Sequence, residues 1–218
     1  MGEALISSLG RQRVAVALIA ALVVANWGAP ALAPLSIAVV FAHECSHALA
    51  AVLTGGRVLG IEVGIDEGGG TWTEGGWPLL VLNAGYLGSL ASGLLLLRGV
   101  RWSGALCAAI GVLSVAVAVV WMPWRSFGFG FAVLWGGALV GLAAWAGPWV
   151  TAAIVRLYGV FSVLYALGDV LADVFGAPAG SVNDATLLAA RTGVPATVWG
   201  AGWLCAGVLA MWFSRSRV

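Results

Sequence analysis

The chain has 218 residues, of which 61% are hydrophobic and only 9% charged, with a formal net charge of +1. Soluble domains carry about 25% charged residues, so this composition excludes a soluble fold and points to an integral membrane protein. There is no lysine and no basic run among the ten cations, so nothing in the charge points to a nucleic-acid partner, and none is expected. The Ala/Gly/Val bias suggests a GC-rich bacterial genome and hence a bacterial cell (inner) membrane.

A membrane span needs about 20 mostly apolar residues. In chain order, such stretches fall at roughly 12–27, 34–54, 77–97, 103–122, 127–146, within 149–175, and 195–213. The first is short and ends at Asn26-Trp27-Gly28. It resembles a signal peptide but reads as a retained span, because no small-residue cleavage site follows and the apolar pattern continues. The expected fold class is therefore an all-α polytopic membrane protein of six or seven transmembrane helices, forming one domain over residues 1–218. Trp27, Trp77, Trp102, Trp121, Trp124, Trp145, Trp149 and Trp212 stand near segment ends, as an interfacial aromatic belt requires. Cys45, Cys107 and Cys205 all lie in apolar segments and read as small buried hydrophobes, not as a disulfide framework.

Two stretches depart from this pattern. Residues 58–78 carry strand-like character at Val58–Ile65 and Thr71–Glu74 around a turn at Asp66–Gly70. They predict a small membrane-associated β-hairpin over about 58–76. Its open edge could receive an extended peptide. In residues 174–194, Ser181 or Asn183 is a candidate cap for a short helix, with Asp184 in its first turn and Gly193 and Pro195 as its stop.

The second apolar segment contains FAHECSHALA, with His43, Glu44 and His47, and these are the only two histidines in the chain. HExxH on a helix sets two imidazoles on one face, one turn apart, where both can bind one Zn²⁺, while the adjacent glutamate serves as general base. Ionisable groups inside a membrane helix are costly and usually functional. A third protein ligand is then expected. Of the nine carboxylates, only Asp169 and Asp173 join Glu44 in an apolar helical stretch. If the helix runs over about 157–175, Asp169 reaches the level of His47 and Asp173 lies about 6 Å further along. Asp169 is the expected ligand and Asp173 the alternative, or a carboxylate that supports the site from outside it. In WPLLVLNAGYLGSLASG, the small residues Gly85, Gly88, Ser89, Ala91, Ser92 and Gly93 suit close helix packing. Asn83 or Tyr86 is a candidate to face the site and hold a substrate carbonyl.

These motifs together resemble the site-2 protease family of intramembrane zinc metalloproteases, and within it the divergent B-like branch. HECSHALAAVLTGG is similar to the family's HExxH helix. GGGTWTEGGWPLLVLNAGYLGS is similar to its Gly-rich hairpin and AGY-x-GS helix. YALGDVLADVF with NDATLLAARTGVPATVWG is similar to its late Asp-containing segments. The resemblance implies helices around a zinc within the bilayer, with His43, His47 and Asp169 as ligands and Glu44 as base. It also implies a transmembrane protein or peptide as substrate. Ser89 stands where better-studied members carry an asparagine, and with Asn83 and Tyr86 it completes the candidate substrate-binding set. The third-ligand motif also departs, reading Leu-Gly-Asp-Val instead of Leu-Asp-Gly. Two alternatives stay open at this point: an inactive zinc-binding membrane scaffold or chaperone, and a small ion-coupled transporter that uses the aspartates and histidines as a path.

Overall fold

A computed structural model describes residues 2–178 and 180–214. In order, the elements are α1 (Gly2–Ala25), α2 (Ala33–Leu53), β1 (Arg57–Val63), β2 (Gly69–Glu74), α3 (Pro78–Arg98), α4 (Ser103–Trp121), α5 (Phe127–Trp145), α6 (Pro148–Val170), α7 (Asp184–Thr192) and α8 (Ala196–Ser214). A π-helical turn, Leu171–Gly176, extends α6. Among the described residues six helices are long and apolar enough to cross a membrane: Pro30–Leu53, Pro78–Arg98, Val100–Trp121, Phe127–Trp145, Pro148–Gly176 and Ala196–Phe213. The first predicted segment is helical too, but its apolar stretch, Arg13–Ala25, is too short to span. The chain is an integral membrane protein of helices with one small hairpin, as its composition implies.

Several boundaries have evident causes. Pro78 and Pro148 open α3 and α6, at positions where the missing N–H would have had no helical partner. The Ser126 side chain caps α5 by accepting from Phe129 N at 3.1 Å. Trp145 and Trp149 flank the α5–α6 corner and are 88% and 77% exposed, as belt residues at a membrane interface should be.

Close helix packing follows the small residues. A Cβ added to Gly93 of α3 would stand 2.8 Å from the Gly159 carbonyl of α6 and 3.0 Å from Val163 N. The same crossing carries a buried Ser162 hydroxyl that donates to the Ser89 carbonyl at 2.8 Å. Gly111 and Gly136 form an equivalent contact between α4 and α5, each standing against the other's carbonyl. Because backbone cannot yield as a side chain can, Gly93→Leu is expected to destabilise the bundle by about 1–3 kcal/mol. That would lower the thermal midpoint of the detergent-solubilised protein, and an unchanged midpoint would contradict this packing.

The hairpin forms where the sequence places it. β1 and β2 pair antiparallel, with Ile61 opposite Thr71 and an irregularity between Val58 and Gly60. Ile61 is fully buried and Val63 nearly so, in a cluster with Ile37, Val40, Phe41 and Ala48 of α2. The hairpin is thus pressed onto the helix that carries HExxH. At the turn, Gly64 N donates to Gly68 O at 2.7 Å, and Glu67 adopts φ 64°.

Candidate metal centre

His43, Glu44 and His47 share α2, with Glu44 and His47 buried. His47 Nδ1 donates to the Val81 carbonyl of α3 at 2.7 Å. That bond fixes the tautomer and turns Nε2 toward the space between α2, α3 and α7, the arrangement that supports a ligating histidine. His43 Nε2 points into the same space, its ring edge-on to Tyr86 at 4.8 Å between centroids.

The carboxylate that meets both imidazoles is Asp184. Its Oδ2 lies 3.1 Å from His43 Nε2 and 3.1 Å from His47 Nε2. The three donor atoms all lie within 4.8 Å of one another. Adjacent corners of a tetrahedron with zinc–ligand bonds of about 2.0 Å are roughly 3.3 Å apart, so this spacing suits zinc. A second observation marks the space between them. A Cβ built on Gly85 of α3 would stand 2.5 Å from His47 Nε2, and closer still to His43 Nε2. The glycine leaves open a cradle that a methyl group would fill, and two imidazoles with one carboxylate form a donor set of catalytic-zinc type.

Asp184 reaches this point through its own short helix. Asn183 caps α7 by accepting from Thr186 N at 3.0 Å, while the Thr186 hydroxyl accepts from Asn183 N, a complete capping box. Gly193 at φ 74° closes the helix, its amide donating to Ala189 O at 2.9 Å. The apolar face of α7, Ala185 and Leu188, is fully buried in a cluster with Tyr86, Val170 and Trp203. Burial alone would raise the Asp184 carboxyl, but the imidazoles of His43 and His47 beside it outweigh burial and hold the group down at about 2.

Asp169 and Asp173 line the same cavity as the histidines, but the structure does not bring either into the His–His–carboxylate cluster. The expected third ligand, Asp169 with Asp173 as alternative, thus differs from the carboxylate that meets both imidazoles, Asp184. The difference follows from the start of α6. The helix begins at Pro148, so Asp169 lies roughly two turns further along it than a start near residue 157 implies. Asp173 instead organises the wall. Its Oδ2 accepts from the Tyr86 hydroxyl at 2.7 Å, and its backbone carbonyl accepts from Asn183 Nδ2 at 2.6 Å, which ties the end of α6 to the start of α7.

Of the three substrate-binding candidates, Tyr86 alone borders the cavity. Asn83 turns away, its amide donating to Leu79 O and its carbonyl accepting from Trp203 Nε1, each at 2.7 Å. Ser89 is buried at the α3–α6 crossing, with its hydroxyl bonded back to Gly85 O at 3.0 Å. Cys45, beside the base, faces an apolar groove lined by Phe41, Ile110 and Val117.

The cavity measures about 560 Å³. Its opposite wall includes six consecutive residues, Gly68–Thr73, so the edge of β2 borders the site together with the face that carries Thr71. Thr71 bridges wall and helix, its hydroxyl 2.7 Å from Glu44 Oε2 and 3.0 Å from the Glu44 carbonyl.

The profile of the peptidase M50B-like family matches residues 14–214, a range that takes in the HExxH helix, the hairpin and the capped Asp184 helix. The chain belongs to this family. The resemblance to site-2 proteases is borne out at that level, and the M50B-like assignment covers every element that contributes to the cavity. Comparison with curated proteins and with solved structures gives no match.

Proposed function

We propose that this M50B-like chain is an intramembrane zinc metalloendopeptidase, residing in a bacterial inner membrane, that hydrolyses peptide bonds in or near transmembrane segments of other membrane proteins. The observation that carries the reading is the convergence of His43 Nε2, His47 Nε2 and Asp184 Oδ2 beneath Gly85, with Glu44 beside them. His43, His47 and Asp184 would hold the metal. When bound, zinc supplies Lewis-acid polarisation of the scissile carbonyl and a water whose pKa is lowered to about 7.

The remaining work falls to the chain's own groups. Glu44 takes a proton from the attacking water as the water oxygen bonds to the carbonyl carbon. It then delivers that proton to the amine nitrogen as the C–N bond breaks. Val81 supports the site from α3, where its carbonyl holds His47 in one tautomer. A substrate helix shields its own backbone with internal hydrogen bonds and must unwind before attack. The open edge of β2 is suited to holding the unwound segment extended, by adding it as a strand.

The test uses the purified full chain in detergent with a fluorogenic transmembrane peptide. Cleavage is expected with zinc, to be abolished by removal of the metal with a chelator, and to return on adding zinc back. A chain that binds zinc yet cleaves no transmembrane peptide would fit a scaffold that grips helices without cutting, and would contradict the peptidase reading.

A further inference from the structure

Thr71 stands where the hairpin meets the catalytic base. Its hydroxyl reaches both Oε2 and the backbone carbonyl of Glu44. Two residues earlier on the same strand, a Cβ on Gly69 would stand 2.5 Å from Oε1 of that carboxylate and 3.0 Å from its Cδ. β2 therefore confines the Glu44 side chain at two points. The hairpin is itself anchored, because Ile61, the cross-strand partner of Thr71, is fully buried against α2. The same stretch of β2 supplies the open edge along the cavity.

We propose that Thr71 is a positioning residue that orients Glu44, so that the strand available to the substrate backbone is also the strand that aims the base. The proposal rests on the peptidase reading of the site. Thr71 occupies Oε2, and the absence of a side chain at Gly69 keeps Oε1 open for the water and the leaving amine. Because a β-branched side chain is stiff at χ1, the position of its hydroxyl follows the strand backbone. A peptide that pairs with β2 and fixes it in place therefore also fixes the base.

The experiment uses the zinc-loaded full chain and a fluorogenic transmembrane peptide cleaved by wild type but not by Glu44→Gln. Thr71→Val keeps the shape and removes the donor. It is expected to lower kcat roughly 10- to 100-fold with KM and zinc content nearly unchanged, while Thr71→Ser restores most of the rate. A readout without turnover is the visible absorption of the cobalt(II)-substituted chain. Thr71→Val should move the band in the direction that Glu44→Gln moves it, and Thr71→Ser should not. If Thr71→Val does not fold, Gly69→Ala replaces it. The three atoms nearest the added methyl all belong to the flexible end of Glu44, so the fold should survive while the carboxylate is displaced, with the same loss in kcat. Wild-type kcat in Thr71→Val, or a cobalt band unmoved by Thr71→Val but moved by Glu44→Gln, would overturn the proposal. If wild type binds zinc and cleaves nothing, the peptidase reading fails instead, and the cobalt band still decides whether Thr71 orients Glu44.

Discussion

Glu44→Gln is expected to reduce peptide cleavage by about 10²- to 10⁴-fold, the usual contribution of a general base, while leaving zinc content unaltered. Glutamine keeps the size of the side chain and can still accept the Thr71 hydrogen bond, now 2.7 Å long to Oε2. What it loses is basicity. Glu44 also lies outside the His43–His47–Asp184 donor cluster. Rate and metal content should therefore separate, and cleavage assays beside elemental analysis of one preparation read both. Zinc lost together with activity would instead make Glu44 a ligand. Undiminished cleavage would remove it from the chemistry.

The second large effect is expected at a residue with no side chain. Gly85→Ala sets a methyl group into the space on which the two imidazole Nε2 atoms and Asp184 converge. The methyl group either takes the position the metal needs or pushes the imidazoles apart. Metal affinity should fall at least as far as it does when support to a ligand is lost, about 10- to 100-fold, with cleavage falling alongside. Gly88→Ala is the control. One turn along the same helix, its methyl presses on Ser46 rather than on the imidazoles, so α3 is perturbed but the metal should stay. Competition of each variant with a zinc indicator measures both affinities. Equal affinity in Gly85→Ala and wild type would show that the metal lies elsewhere.

Half of this site was legible in the sequence because helical periodicity is local. His43 and His47 lie one turn apart, so their shared face, with Glu44 about 100° around from it, follows from the helix alone. The hairpin was legible for a similar reason: its turn is dense in glycine, and its strands begin and end within about two residues of their predicted bounds. Asp184 was recognised as the first-turn residue of a capped helix, but not as a partner for the histidines. A carboxylate inside an apolar span is the natural expectation for a third ligand, whereas the chain reaches the site from outside the spans. α7 folds back onto the bundle through Ala185 and Leu188, and only that tertiary contact places its first residue beside α2. The signal available was the pairing of a complete N-cap motif with an amphipathic nine-residue helix, which a plain connector would not need.

The glycines of α3 show the same limit from another side. Read as a small-residue packing stripe, they do pack, with Gly93 against Gly159. Yet Gly85, two turns earlier, faces the imidazoles. Sequence spacing alone does not distinguish a glycine that admits a neighbouring helix from one that leaves room for an ion.

The central claim is that Asp184, from outside the spans, completes the site begun by the two histidines. It is tested most directly by the zinc content of three preparations of the full chain purified side by side: wild type, Asp184→Ala and Asp169→Ala. The geometry predicts about one zinc per chain in wild type and in Asp169→Ala, and a marked loss in Asp184→Ala. Zinc retained in Asp184→Ala and lost in Asp169→Ala would contradict it.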